Sequence, residues 1–263
     1  MSAIPHLVGM VHLLPLPGSP GYGGAIGEIT RTAVEDATAL ADCGFPALMI
    51  ENFGDVPFFA DAAPAETVAA MAVVVDAVRR ATDLTIGVNV LRNDLLSALG
   101  IAAATDAAFV RVNVLTGIMY TDQGPIIGRA AEALRSRARL CPDVEIWADV
   151  LVKHATPPPG MDIGQAAADT VERGLADAII VSGSGTGIEP GLDRLTAVKT
   201  NIPKETRLVI GSGANTSNLS QLTEVADTVI VGTALKIDSQ AANRVDPIRG
   251  RQFVQAGTDC GLL

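Results

Sequence analysis

Eight times along this chain a short apolar run gives way to a segment with helical periodicity, and that alternation restricts the fold more than any other feature. The first run, Leu7 to Val11, ends at His12 and enters a Gly/Pro-rich loop from Pro15 to Gly24. A helix follows, with Ile29, Ala33, Ala37, Leu40 and Ala41 on one face and Gly44 just past its end. The later strands read as Ala47–Glu51, Thr85–Val90, Phe109–Val114, Val144–Val150, Ala178–Val181, Leu208–Ile210 and Thr228–Val231. Between them run stripes such as Val68, Met71, Ala72, Val75 and Val78, or Ile127, Ala130, Ala131, Leu134 and Ala138. A last helix is expected near Pro247–Gln255.

Repeated strand-then-helix units imply parallel strands joined by right-handed crossovers. Eight such units close a barrel, and 263 residues match the roughly 250 of one (β/α)8 barrel. The expected fold is therefore α/β: a single (β/α)8 TIM barrel over residues 1–263. An open doubly wound sheet would place a Gly-rich fingerprint after the first strand, and Gly9-Met10-Val11-His12 does not supply one. With aromatics at only 3%, the core has to be built from Ala, Val, Ile and Leu.

Composition excludes several function classes. A net charge of -10 disfavours nucleic acid, whose phosphates demand clustered Lys and Arg, yet one local site can still hold a small phosphate. The apolar stretch Val68–Val75 falls far short of the ~20 residues needed to span a bilayer, so no transmembrane segment is expected. The N-terminus lacks a basic region followed by an apolar stretch, the mark of a signal peptide. Cys43, Cys141 and Cys260 are odd in number and far apart, which reads as reduced cytoplasmic thiols and not as a disulfide framework or zinc site.

In a barrel, chemistry sits where strands end and βα loops begin. Those positions hold His12, Glu51, Asn89, Arg111, Asn113, Asp149, Lys153, His154, Ser182, Gly211 and Gly232. The last two units, Gly211-Ser212-Gly213-Ala214-Asn215 and Gly232-Thr233-Ala234-Leu235-Lys236, carry the sharpest signal. Glycines admit an anion close to the backbone, and N–H groups with a helix N-terminus supply donors. Gly211, Ser212, Gly213, Gly232 and Thr233 are thus phosphate-binding candidates, with Gly183 in the Val181–Gly187 loop as a further wall. The competing reading is that these glycines only make tight turns.

Alternation sends Phe109, Arg111 and Asn113 to one side of their strand and Trp147, Asp149 and Lys153 to one side of the next. A buried Arg needs a carboxylate, either a neighbour's or a substrate's. Asp149 and Glu51 are the candidate proton-transfer groups, although Asp149 could instead simply pair with Arg111. Lys153 is a third catalytic candidate, as an amine nucleophile or as a cation steadying an enolate or phosphate. His12, Asn89, Arg111, Asn113, His154 and Ser182 are expected to orient the substrate, as is Asp122 in the long Leu115–Gly128 loop, whose length suits a lid. His12, Glu51, Asp149 and His154 hold enough donors for a divalent metal, but no close ligand spacing supports one, and the sequence requires no cofactor.

Several of these stretches together resemble the BtpA/SgcQ family. They are Gly9-Met10-Val11-His12-Leu13 through Pro17-Gly18-Ser19-Pro20, Glu51-Asn52-Phe53-Gly54-Asp55, Gly87 through Asp94, Arg111-Val112-Asn113-Val114 and Thr121-Asp122-Gln123-Gly124. Ala148 through Ala155, Ser182-Gly183, Gly211-Ser212-Gly213 and Val231 through Lys236 complete the match, which covers nearly the whole chain. The resemblance implies a phosphate-binding-type barrel. It also brings two functional names, photosystem I biogenesis and nucleosidase, neither of which follows from the residues. Two expectations stand side by side. One is an enzyme on a small sugar phosphate or nucleotide-like compound, by isomerase, lyase or N-glycosidic chemistry. The other is a non-catalytic biogenesis or stability factor for a membrane complex such as photosystem I. A homo-oligomer is a background expectation only.

Overall fold

In the computed structural model, which describes residues 5–183, 185 and 188–263, every crossover lands on a parallel strand. In chain order the elements are β1 (Leu7–His12), α1 (Ile26–Cys43), β2 (Ala47–Glu51), α2 (Ala65–Ala81), β3 (Thr85–Asn89), α3 (Leu95–Thr105) and β4 (Phe109–Val112). Then come β5 (Ile118–Thr121), β6 (Gly124–Ile127), α4 (Ala130–Leu140), β7 (Glu145–Asp149), β8 (Ala155–Thr156), α5 (Ile163–Glu172) and β9 (Ala178–Val181). The chain closes with α6 (Leu192–Asn201), β10 (Arg207–Ile210), α7 (Leu219–Thr223), β11 (Thr228–Val231) and α8 (Pro247–Asp259). Eight strands close as β1-β11-β10-β9-β7-β4-β3-β2, a TIM barrel.

Two apolar layers follow from the period-2 alternation. Outward residues such as Leu48, Ile50, Val88, Val110 and Ile179 pack beneath the helices, alongside Leu40, Val74 and Leu99. Inward residues fill the barrel with Val8, Met10, Met49, Phe109, Trp147, Ile180, Val209 and Ile230. The Phe109 and Trp147 rings stack at 4.2 Å between centroids. Gly87 makes room for this pair, because a Cβ there would lie 2.3 Å from Phe109 Cε2. The interior is therefore a packed core and not a channel.

The Leu115–Gly128 segment differs from the expected irregular loop. It forms a hairpin, β5 on β6, and the two-residue β8 adds to β5 as a third antiparallel strand. Val114, Met119, Ile126 and Val152 make its own small apolar core. Ile127, read as helical, is the last residue of β6, and α4 begins at Ala130. The seventh helix also falls short of expectation at five residues.

Behind β11, Lys236 is fully buried with its amine 3.1 Å from Asp36 Oδ2, and Arg244 Nε reaches Asp36 Oδ1 at 2.7 Å. This cluster ties α1 to the segment after the last strand and accounts for a charged residue deep in an apolar region. Among the described residues no helix is long and apolar enough to cross a membrane.

Candidate active site

At the C-terminal ends of the strands, alternation turns polar residues inward above the apolar filling. They surround a cavity of about 420 Å³. Its wall takes in His12, Glu51, Arg111, Asn113, Lys153, His154, Gly211, Ser212, Gly213, Gly232 and Thr233. Asn89, Asp149 and Ser182 stand behind that wall, each one hydrogen bond from a residue on it. Gly183 and Asp122 do not line it, and Asp122 is exposed at the β5–β6 turn beside Gln123. Ser184, Thr186 and Gly187 lie outside the described residues.

The centre of the site is a saturated ion pair. Arg111 Nε donates to Asp149 Oδ2 at 2.8 Å and Nη2 to Oδ1 at 2.9 Å, both side chains being buried. Asn113 Nδ2 adds a bond to Oδ2 at 3.0 Å, and Ser182 Oγ one to Oδ1 at 3.1 Å. Burial opposes the Arg111 charge, but Asp149 outweighs it and raises the guanidinium above its ordinary range. With four donors on it and no place on the cavity wall, Asp149 has the geometry of an anchor for Arg111, the alternative left open by the sequence.

Glu51 is placed differently. Its Oε2 accepts from Asn89 Nδ2 at 2.6 Å, while Oε1 lies 3.9 Å from His12 Nε2. His12 Nδ1 is 2.9 Å from the Ala241 carbonyl, which can only accept, so that nitrogen carries the proton. Burial, the largest influence, pulls the imidazole down to about 4, so it is neutral at pH 7 and its Nε2 is an acceptor. The ring is held by stacking on Phe53 at 4.5 Å. Two acceptor atoms thus stand side by side on the cavity wall, where a ligand hydroxyl can donate to one of them.

Arg92 is a wall residue that alternation could not find, because it sits in the loop after β3. Its Nη2 donates to the Lys153 carbonyl at 2.7 Å and its Nη1 to Asn113 Oδ1 at 3.3 Å. Burial lowers its pKa, with Asp149 and Glu51 opposing. Burial also lowers that of Lys153, reinforced by Arg111 and Arg92. Since Asp149 neutralises Arg111, Arg92 and Lys153 leave the cavity with more positive than negative charge, against Glu51.

On the β10–β11 side, Ser212 has a buried hydroxyl with no hydrogen-bond partner among the described residues. The N–H groups of Gly213 and Ala214 likewise meet no acceptor among the described residues. The glycines themselves are explained by packing. A Cβ on Gly211 would lie 2.4 Å from Ile180 Cγ2 and 2.6 Å from Ser182 Oγ, and one on Gly213 2.3 Å from Glu189 N. The short α7 supplies little dipole, so an anion here would be held by hydrogen bonds and the cavity's cations. Among the described residues no three His, Cys, Asp or Glu side chains gather as a metal site. None of the three cysteines lines the cavity.

Residues 4–259 match the BtpA family. A photosystem I biogenesis protein BtpA of Synechocystis is 47% identical over 95% of this chain and 87% of its own length. The chain belongs to the BtpA family. A protein of Thermococcus kodakarensis is also 47% identical, over 95% of this chain and 94% of its own. Among solved structures, a thiamine phosphate pyrophosphorylase from Pyrococcus furiosus superposes with a TM-score of 0.61 at 16% identity, covering 97% of this chain and 96% of the other. At that identity the likeness shows that the BtpA-family chain shares the fold, and nothing finer.

Proposed function

We propose that this BtpA-family barrel is an enzyme acting on a small phosphorylated metabolite, a sugar phosphate or nucleotide-like compound. The observation that carries the reading is the buried Ser212 hydroxyl on the cavity wall, which, like the N–H groups of Gly213 and Ala214 beside it, has no partner among the described residues. An unmet buried donor costs about 1–3 kcal/mol, and a phosphate oxygen supplies the missing acceptor. Gly211, Gly232 and Thr233 complete that wall. Arg92 and Lys153 favour an anion inside a chain whose net charge is -10.

In this reading Glu51, through its free Oε1, moves a proton, and neutral His12 accepts a substrate hydroxyl beside it. Arg111 and Asn113 orient the ligand, with Asp149 and Ser182 fixing Arg111 and Asn89 fixing Glu51. That arrangement suits isomerase, lyase or N-glycosidic chemistry.

The second reading, a non-catalytic biogenesis factor, draws on the name of the Synechocystis relative. It gives no role to the polar cavity at the strand ends. Assays of purified protein on phosphorylated sugars and nucleotides, with their dephosphorylated forms as controls, separate the two. The enzyme reading expects turnover of a phosphorylated compound, reduced ~10²–10⁴-fold by Glu51→Gln. Unaltered turnover in Glu51→Gln would remove Glu51 from the mechanism, and no turnover on any panel member would favour the factor.

A further inference from the structure

We propose that Lys153 forms a covalent imine with the substrate, whose class is thereby a phosphorylated aldose or ketose with a reactive carbonyl. The inference rests on the phosphate reading above and narrows it.

The chain has four lysines, and only Lys153 lines the cavity. Lys199 is paired with Asp227 at 2.6 Å, Lys236 with Asp36 at 3.1 Å, and Lys204 is exposed away from the mouth. The Lys153 amine has no hydrogen-bond or ion-pair partner among the described residues, although Glu51 stands on the same cavity wall. Its backbone, by contrast, is fastened from three directions. Val152 is buried in the hairpin core, Ala155 pairs with Thr121 in β5, and the Lys153 carbonyl accepts from Arg92 at 2.7 Å. Leu151 and His154 on either side adopt left-handed backbone with φ of 44° and 56°, an unfavourable conformation for residues bearing a Cβ. A fixed backbone with a free amine is the arrangement of a nucleophile, whereas a cation serving only structure would be neutralised. Burial, reinforced by Arg111 and Arg92 and opposed by Glu51 and Asp149, lowers the amine's pKa.

Barrel order gives the substrate's direction. His12 on β1 lies opposite β7, four strands away around the ring, and Glu51 on β2 and Gly232 after β11 flank it. Ser212, after β10, stands two strands from β1 on one side and two from β7 on the other, so a ligand with its phosphate there has Lys153 to one side and His12 with Glu51 to the other.

The chemistry balances without a further reactant. The neutral Nζ adds to the carbonyl carbon and the π electrons move to oxygen. A proton passes from nitrogen to that oxygen, giving a carbinolamine. Protonation of its hydroxyl by solvent expels one water and leaves a C=N⁺ iminium. Glu51 Oε1 then takes the proton from the neighbouring carbon, and the C–H electron pair forms C=C while the C=N pair returns to nitrogen. Return of a proton and addition of water release product and the free amine.

The test is borohydride trapping. The protein at pH 7 is mixed with dihydroxyacetone phosphate or ribose 5-phosphate, reduced with sodium borohydride, and its peptides are mapped by mass spectrometry. In parallel, inorganic phosphate is tested for thermal stabilisation. The expected result is a reduced adduct at Lys153 at least tenfold above exposed Lys204, suppressed by inorganic phosphate. Lys153→Arg should lose the adduct while phosphate still stabilises the fold. No adduct at Lys153 from either probe, with phosphate stabilisation intact, overturns the imine and leaves the phosphate site standing. An adduct at Lys153 that phosphate neither suppresses nor replaces in stabilising the fold overturns the assignment to phosphorylated carbonyls.

Discussion

Arg111 and Asp149 lie on neighbouring strands and meet in a buried two-bond pair, 2.8 and 2.9 Å long, just below the cavity floor. The pair fixes what Asp149 can do, because Asn113 and Ser182 occupy its remaining lone pairs.

Asp149→Asn is therefore expected to damage the fold as well as any activity. Removing one partner of a buried pair leaves an uncompensated charge at a cost of about 3–5 kcal/mol. In a chain of this size that lowers Tm by roughly 10 °C. A thermal melt decides it: an unchanged Tm with lost activity would return Asp149 to a chemical role.

Ser212→Ala should act in opposite directions on stability and binding. Deleting the unpaired buried hydroxyl is expected to leave the free protein equally stable or up to about 2 kcal/mol more stable. Phosphate affinity should fall about tenfold through the lost hydrogen bond. Chemical denaturation and a phosphate titration read the two effects, and a destabilised variant with full affinity would contradict both.

His12 makes stability depend on pH with a definite sign. Its folded pKa of about 4 lies below the 6.5 of the free side chain, so between these values the unfolded chain binds the extra proton. Its contribution is present above pH 6.5 and is lost as pH falls towards 4, at about 1.4 kcal/mol per unit and about 3 kcal/mol in all. The difference between wild type and His12→Gln in urea denaturation, taken at pH 7 and pH 4.5, should shrink at the lower pH. A difference independent of pH would mean that His12 is not held neutral.

Gly87→Ala tests the barrel filling. The new methyl would overlap the Phe109 ring and cost about 1–3 kcal/mol, and Phe109→Leu in the same chain should recover part of that loss. No recovery would place the strain elsewhere.

Much of this geometry was legible in the chain, for identifiable reasons. Inward-facing strand ends announce themselves through alternation, which put Arg111 and Asp149 on matching sides of adjacent strands. Alternation gives the side a residue faces but not how many donors surround it, so the saturation of Asp149 was invisible. Arg92 escaped because the loop after β3 has no period to read. The hairpin escaped because Ile118–Thr121 and Gly124–Ile127 are too short to stand out until Val152 and Met119 pack between them. Gly211 and Gly213 have a packing requirement that the sequence does not announce, since a Cβ there would meet Ile180 and Glu189.

The most direct test of the central claim, a phosphate held at Ser212 within the cavity, is calorimetric titration of ribose 5-phosphate against ribose. The account predicts that the phosphorylated sugar binds at least tenfold more tightly, that inorganic phosphate competes with it, and that Ser212→Ala erodes the preference. Equal affinity for the two sugars, or a preference untouched by Ser212→Ala, would contradict it.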